Sequence, residues 1–159
     1  MKNITKVKPT EILHGRLLFS INFVSDLDIK DKKILDIGCG YGWFELNAIK
    51  RGCSNIIGTE ITENDLQTAK ENINNIKVQL KKGSAIDLNF HNKQFDTVVS
   101  WEVLEHIPKQ TENKMFSEIN RVLKNNGVFY LSTPFSNLFS DILDPAWWLI
   151  GHRHYKKNK

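Results

Sequence analysis

Cysteine, proline and methionine are scarce in this chain of 159 residues, which holds two, four and two of them. The two cysteines, Cys39 and Cys53, form no CxxC pair and have no histidine pattern to match. That excludes a disulfide framework and a zinc finger, and it suits reduced thiols in a cytosol. Long apolar runs are missing too: Leu17-Leu18-Phe19 and the stretch 146–150 are the longest, far short of the ~20 residues that span a bilayer. The first residues, MKNITKVKPTEILHGR, are basic, but no uninterrupted apolar segment or small-residue cleavage site follows them. A cytoplasmic protein without a membrane span is expected. Acidic residues are absent from 151–159, where Arg153, Lys156, Lys157 and Lys159 account for the whole net charge of +4. The rest of the chain balances at 18 basic against 18 acidic residues. A nucleic-acid partner is therefore not expected, because one short terminal cluster produces the basic character.

What is present is ordinary globular material, 40% hydrophobic and 25% charged, which argues against a collagen, a mucin or a disordered tail. The length suits one domain, and a core of this size needs no metal or disulfide staple. No repeat, low-complexity tract or Pro/Gly/Ser linker divides the chain. Short apolar runs alternate with amphipathic segments. Lys33–Ile37, 55–61, 77–81, 95–100 and 128–132 read as strands, the first ended by Gly38-Cys39-Gly40-Tyr41-Gly42. Trp43, Phe44, Leu46 and Ile49 have helical spacing up to Lys50; Thr62 with Asp65 resembles a capping box opening a helix to about Ile73. A third helix over 111–124 presents Met115, Phe116, Ile119, Val122 and Leu123 on one face, ahead of a turn at Asn125-Asn126-Gly127. An extra helix over 11–27 precedes the first strand. Nearly continuous apolar strands alternating with helices predict an α/β fold, a doubly wound and mostly parallel sheet covered on both faces.

In such sheets the ligand lies beyond the carboxyl end of the first strand. The loop there departs from a dinucleotide fingerprint, since Trp43 stands where the third glycine belongs and Asp36 precedes Gly38 by two. A carboxylate in that place suits an ammonium group better than a pyrophosphate.

Asp36-x-Gly38-x-Gly40-x-Gly42 closely resembles motif I of the class I S-adenosylmethionine-dependent methyltransferases. Further landmarks agree in order. Glu60 ends the second strand, and Gly83-Ser84-Ala85-Ile86-Asp87-Leu88-Asn89-Phe90 is similar to the family's GDAEDLPF segment. Phe95-Asp96-Thr97-Val98-Val99-Ser100 with Glu102-Val103-Leu104-Glu105-His106-Ile107 resembles FDVVVS…EVLEH, and Arg121-Val122-Leu123-Lys124-Asn125-Asn126-Gly127 resembles RVLKPGG. The likeness covers about 32–134 and is nearest to small-molecule methyltransferases of the ubiquinone-biosynthesis type.

The resemblance implies a Rossmann-like three-layer α/β/α domain with strand order 3-2-1-4-5, and S-adenosyl-L-methionine as cofactor. It implies that Asp36 takes the cofactor's ammonium group, with Gly38, Cys39, Gly40 and Gly42 around the methionine and ribose portions. Glu60 would hold the ribose hydroxyls and Ile61 the adenine face, although Ile61 reads equally as core. Ser84 and Ala85 would follow the adenine edge, with Ser84 replacing the usual Asp. Ser100, Trp101 and Glu102 would line the methyl-donor end, Trp101 reading equally as core. Cys39 reads as packing rather than as a nucleophile. His106 is the candidate base by position; its other and favoured reading is a helix-start histidine that holds the loop. Glu105 reads as solvated or as a local cap. His152 and His154 form an HxH pair without a third ligand, so no metal is expected.

The acceptor implied is a small molecule, or one linked to a lipid or a glycan. The stretch Asp144-Pro145-Ala146-Trp147-Trp148 to Tyr155 resembles a DPxW…GHRHY run of some glycan-associated methyltransferases, and reads equally as core aromatics. The single domain 1–159 would divide into a helical cap (1–30), a cofactor-binding core (31–133) and an aromatic, basic C-terminal segment (134–159). Family members continue with a helix and an antiparallel hairpin. The residues after Ser132 are too few for both, so the hairpin is expected to be missing and the fifth strand to form an open edge, which the aromatic segment folds over, a partner chain or second copy covers, or the rest of a longer gene product completes. A non-catalytic cofactor-binding module and, more distantly, a nicotinamide oxidoreductase are the rival classes.

Overall fold

The computed structural model describes residues 15–134. Its centre is β1 (Lys33–Ile37), paired in parallel with β2 (Asn55–Glu60) on one side and β4 (Phe95–Trp101) on the other. β3 (Val78–Lys82) extends the sheet beyond β2 and β5 (Leu123–Ser132) beyond β4, giving the parallel order β3-β2-β1-β4-β5. The expected order is thus found. Because β1 has strands on both sides and helices above and below, four of its five residues are buried, and its sequence runs apolar without alternating.

The period-two geometry of strands sorts the core into two layers. Ile34, Ile56 and Val99 face Ile21 and Val24 of α1 (Gly15–Phe23) and its exit, and Phe44 and Ala48 of α2 (Trp43–Lys50). Leu35, Ile37, Ile57 and Val98 face Met115, Ile119 and Val122 of α4 (Glu112–Val122). α3 (Glu63–Asn72) lies against β2 and β3. Asp36, two residues beyond Ile34, points to the α2 layer by the same alternation.

The Arg51 guanidinium, at the C-cap of α2, holds α1 to α2. It donates to the Asp26 carboxylate (2.6 Å) and to the carbonyls of Ile21 and Val24, at the end of α1 where helical acceptors are left over. Arg121 does the same on the other side. It donates to the Leu88 and Phe90 carbonyls (2.7 Å each) and to Glu118, and Glu118 accepts from the Leu88 amide. The segment between β3 and β4 is pinned to α4 in this way.

Three local expectations change. Thr62 is the N-cap of α3, but its hydroxyl donates to the Asp65 carboxylate (2.8 Å) and caps no amide, while Glu60 takes the Thr62 amide that Asp65 would accept in a capping box. α4 ends at Val122: Leu123 is already extended and pairs with Phe95, while Phe116 lies on the half-open flank of the helix, edge-on to Phe129. The turn at Asn125-Asn126-Gly127 falls inside the span of β5, where the register moves from Phe95↔Leu123 to Thr97↔Val128. Among the described residues β5 pairs with β4 alone, and no helix is long and apolar enough to cross a membrane. The expected hairpin, the aromatic stretch and His152 and His154 lie outside the described residues.

Candidate functional site

The order of the sheet reverses at β1, which opens a crevice at the carboxyl ends of β1 and β4. The loop leaving β1 is stapled to the end of β2. The amides of Gly38 and Cys39 both donate to the Thr59 carbonyl (2.8 and 2.9 Å), and the Gly40 amide donates to Glu60 Oε2 (3.2 Å). Gly38 has φ +76°, and a Cβ there would stand 2.3 Å from Val103 Cγ2, so neither backbone nor space admits a side chain. Gly40 also has a left-handed φ (+51°), but no atom lies within 4 Å of its would-be Cβ. The bare backbone of Gly40 faces open space, as a surface that receives a ligand must.

The crevice has two lobes. The larger, about 440 Å³, is walled by Gly38, Glu60, Ile61, Ser84, Ala85 and, from the segment after β4, Val103 and His106. The smaller, about 320 Å³, is walled by Asp36, Cys39, Gly40, Tyr41 and Trp43. Gly38, Asp65, Trp101 and Glu102 border both. Ten of the residues singled out from the sequence for the cofactor therefore meet at one crevice.

Two others do not reach it. Gly42 is the N-cap of α2, packed so closely on Ile73 that a Cβ would stand 2.2 Å from its Cδ1. Ser100 is fully buried, and its hydroxyl has no hydrogen-bond partner. Both lie outside the walls of the crevice.

Electrostatically the smaller lobe is acidic. Asp36 is 1% exposed, and burial, then the Glu45 and Glu60 charges, hold its carboxyl well above the usual range. Its Oδ1 has no hydrogen-bond partner. Burial, followed by Glu45 and Asp36, pushes the Cys39 thiol far up, so it stays protonated and packs, as its position between glycines suggested. Glu60 spends its carboxylate on three backbone amides, those of Gly40, Ile61 and Thr62. Ile61 is 63% exposed, which removes its reading as core. Trp101 is 9% exposed, stands edge-on to Phe44 and borders both lobes.

His106 borders the larger lobe from a turn, not a helix start, and its backbone amide donates to the Val103 carbonyl (2.9 Å). Glu105, expected to be solvated or a local cap, is buried and accepts from the Thr133 hydroxyl (3.2 Å), which ties this turn to the end of β5. Glu45 was not foreseen at all. It sits in the first turn of α2, fully buried, with its carboxyl turned toward Asp36. Among the described residues no cluster of His, Cys, Asp and Glu has the arrangement of a metal site.

Residues 34–127, more than half of the chain, match the family model of the methyltransferase domain. The chain belongs to that family. Its fold is that of the class I S-adenosylmethionine-dependent methyltransferases. Relatives of this methyltransferase domain include a ubiquinone biosynthesis O-methyltransferase of Pelagibacter ubique, 30% identical over 69% of this chain and 45% of that protein. A ribosomal protein L11 methyltransferase of Fusobacterium nucleatum is 29% identical over 84% of this chain and 42% of its own length. In fold, an S-adenosylmethionine-dependent methyltransferase of Mesorhizobium loti superposes with a TM-score of 0.63 at 24% identity, over 68% of this chain and 49% of the other. The chain thus spans less than half the length of the curated relatives it matches.

The residues present fit the family's methyl donor. The unpartnered buried oxygen of Asp36 suits an ammonium group, and the uncovered Gly40 backbone leaves room for it.

Proposed function

We propose that this domain transfers a methyl group from S-adenosylmethionine to a small-molecule, lipid-linked or sugar-linked acceptor. The observation that carries the reading is Asp36: a buried carboxyl with a free oxygen at the switch point, where a cationic ligand head completes the site and a pyrophosphate would be repelled. That arrangement also disfavours a nicotinamide oxidoreductase.

When bound, the cofactor supplies a methyl group already activated on a sulfonium. The chain's task is then alignment and exclusion of water, which effective-molarity arguments credit with ~7–11 kcal/mol. Asp36 and the Gly38–Gly40 backbone would fix the amino-acid end, Glu60 the ribose, and Ile61, Ser84 and Ala85 the adenine. Glu60 Oε2 accepts from the Gly40 amide and keeps acceptor capacity for a ribose hydroxyl. Trp101 and Glu102 border both lobes and would face the reacting end.

They also border a third cavity, about 590 Å³, with Phe19, Phe23, Leu131 and Thr133 on its other walls. Its largely apolar rim suits an acceptor with an aromatic or acyl body. His106 is assigned to the cleft wall, where a base role applies only to a weakly acidic acceptor. The free thiols of Cys39 and Cys53 suit a reducing cytoplasm. The outer edge of β5 is the place at which a partner or second copy would add.

Calorimetric titration with S-adenosylhomocysteine tests the reading: saturable one-site binding is expected, and no binding by folded protein overturns it. A second reading is a cofactor-binding module without turnover. Labelled-methyl transfer to a broad acceptor panel separates the two.

A further inference from the structure

The least expected group in the molecule is Glu45. Its carboxyl is completely buried beneath the glycine loop, and neither of its oxygens has a donor from another group. The space it occupies is made by Gly58, whose Cβ would stand 2.3 Å from Glu45 Oε1. Gly58 is the register partner of Asp36 on the neighbouring strand β1, so the Glu45 carboxyl lies beside that of Asp36 and its charge holds the Asp36 carboxyl up. Two buried carboxylates side by side repel each other, and a single proton held between them relieves that repulsion.

The groups around the pair add only negative or neutral character. They are Glu60 from β2, Cys39 and Tyr41 from the loop, Asp65 from α3 and Glu102 after β4. Among the described residues lining this lobe there is no lysine or arginine. A buried acid pair with one proton, opening on an acidic lobe without a protein cation, is built for a cationic head group.

We propose that Glu45 is a positioning residue that shares one proton with Asp36, and that an ammonium-bearing ligand in the Asp36 lobe displaces that proton to solvent. The inference rests on the cofactor reading above and deepens it: the amino group of the ligand is recognised by a proton-sharing pair, not by one carboxylate. The step balances simply. An O–H bond of the shared carboxyl breaks, the proton goes to buffer, and the positive charge it carried is replaced by the ammonium. Burial, tempered by its own amide and by Asp36, raises Glu45 to about 8, so the proton is present in the free protein at neutral pH.

Calorimetry with S-adenosylhomocysteine at pH 7.5, in buffers of different ionisation heat, reads the proton directly. If binding lowers the pair's titration by about one unit, wild type releases about half a proton more per ligand than Glu45→Gln. Wild-type affinity should then rise between pH 6.5 and 8.5 relative to the variant. 5′-Methylthioadenosine, which has no amino-acid moiety, should release no proton from either protein.

Equal proton counts in wild type and Glu45→Gln overturn the proposal, and so does equal release with 5′-methylthioadenosine. Carbon-13 carboxyl titration of the free protein gives an independent result: one carboxyl should titrate well above pH 6 in wild type and not in Glu45→Gln. Absence of that step in wild type overturns the pair even if the variant does not fold. If S-adenosylhomocysteine fails to bind wild type, the cofactor reading fails, while the carboxyl titration still decides the role of Glu45.

Discussion

Removing the Glu60 carboxylate should destabilise the fold before any ligand is considered. Glu60 ends β2 and is 8% exposed. Its two oxygens accept from the amides of Ile61 (2.7 Å), Thr62 (3.1 Å) and Gly40 (3.2 Å), joining the β2–α3 turn to the glycine loop. Hydrogen bonds to a charged group contribute about 1.5–3 kcal/mol each. The sum overshoots, since bonds to one carboxylate are not additive and water can reach part of the vacated space. A loss of about 2–4 kcal/mol is the reasoned range for Glu60→Ala. With a urea slope of about 2 kcal/mol/M, the midpoint should fall by about 1–2 M. Glu60→Gln should recover only part of this. Its carbonyl can still accept from Ile61 and Thr62, but its NH2 group would face the Gly40 N–H, donor against donor. Tryptophan fluorescence during urea unfolding measures both variants, and Ile61→Ala, at an exposed side chain beside them, should change the midpoint little. A Glu60→Ala midpoint within 0.5 M of wild type, on that same ~2 kcal/mol/M slope, would show that the carboxylate does not hold the loop.

The remaining expectations concern the same crevice. Gly38→Ala must place a Cβ 2.3 Å from Val103 Cγ2 in a left-handed backbone, so a loss of about 2–4 kcal/mol is expected from strain and overpacking together, read as a fall in urea midpoint. Gly40→Ala meets open space and should cost only about 1–2 kcal/mol, the left-handed penalty, while S-adenosylhomocysteine affinity falls at least tenfold. His106→Asn should leave calorimetric affinity for S-adenosylhomocysteine nearly unchanged; turnover that also survives assigns His106 to the wall, and a loss confined to turnover makes it a base. For Glu45 the sign is set by a folded value raised from the ordinary 4.5 to about 8. The folded state binds more protons than the unfolded one across that window, so this group's contribution to stability declines as pH rises through it. Glu45→Gln should flatten the decline and gain roughly 1–4 kcal/mol over wild type at pH 8, measured by urea unfolding from pH 5 to 8.

The sheet was legible because burial on both faces writes itself into composition. Lys33–Ile37 and 95–100 run apolar without alternating, and only a central parallel strand rewards that pattern. The crevice was legible for a different reason. Gly38, Gly40, Glu60 and the segment after β4 are local signals at strand ends, and one topology brings all strand ends together. What stayed hidden depends on distance through space. Glu45 sits in a helix whose spacing gave no reason to place an acid inward, and its partner is a strand residue nine positions earlier. Only the layer assignment, with Ile34 and Asp36 sharing the α2 face of β1, makes the two carboxyls neighbours. The one written trace is Gly58, a glycine inside an otherwise bulky strand, and a strand glycine often marks a close approach by another group. Glu105 was hidden in the same way: it is buried and its hydroxyl partner Thr133 comes from the end of β5, 28 residues on. The chemistry-bearing residues found by motif are those that line the crevice; those missed are the ones that meet each other. A buried acid with no cation beside it has a cost that packing alone does not offset. Its persistence under the loop is therefore best understood through the charge that a ligand brings.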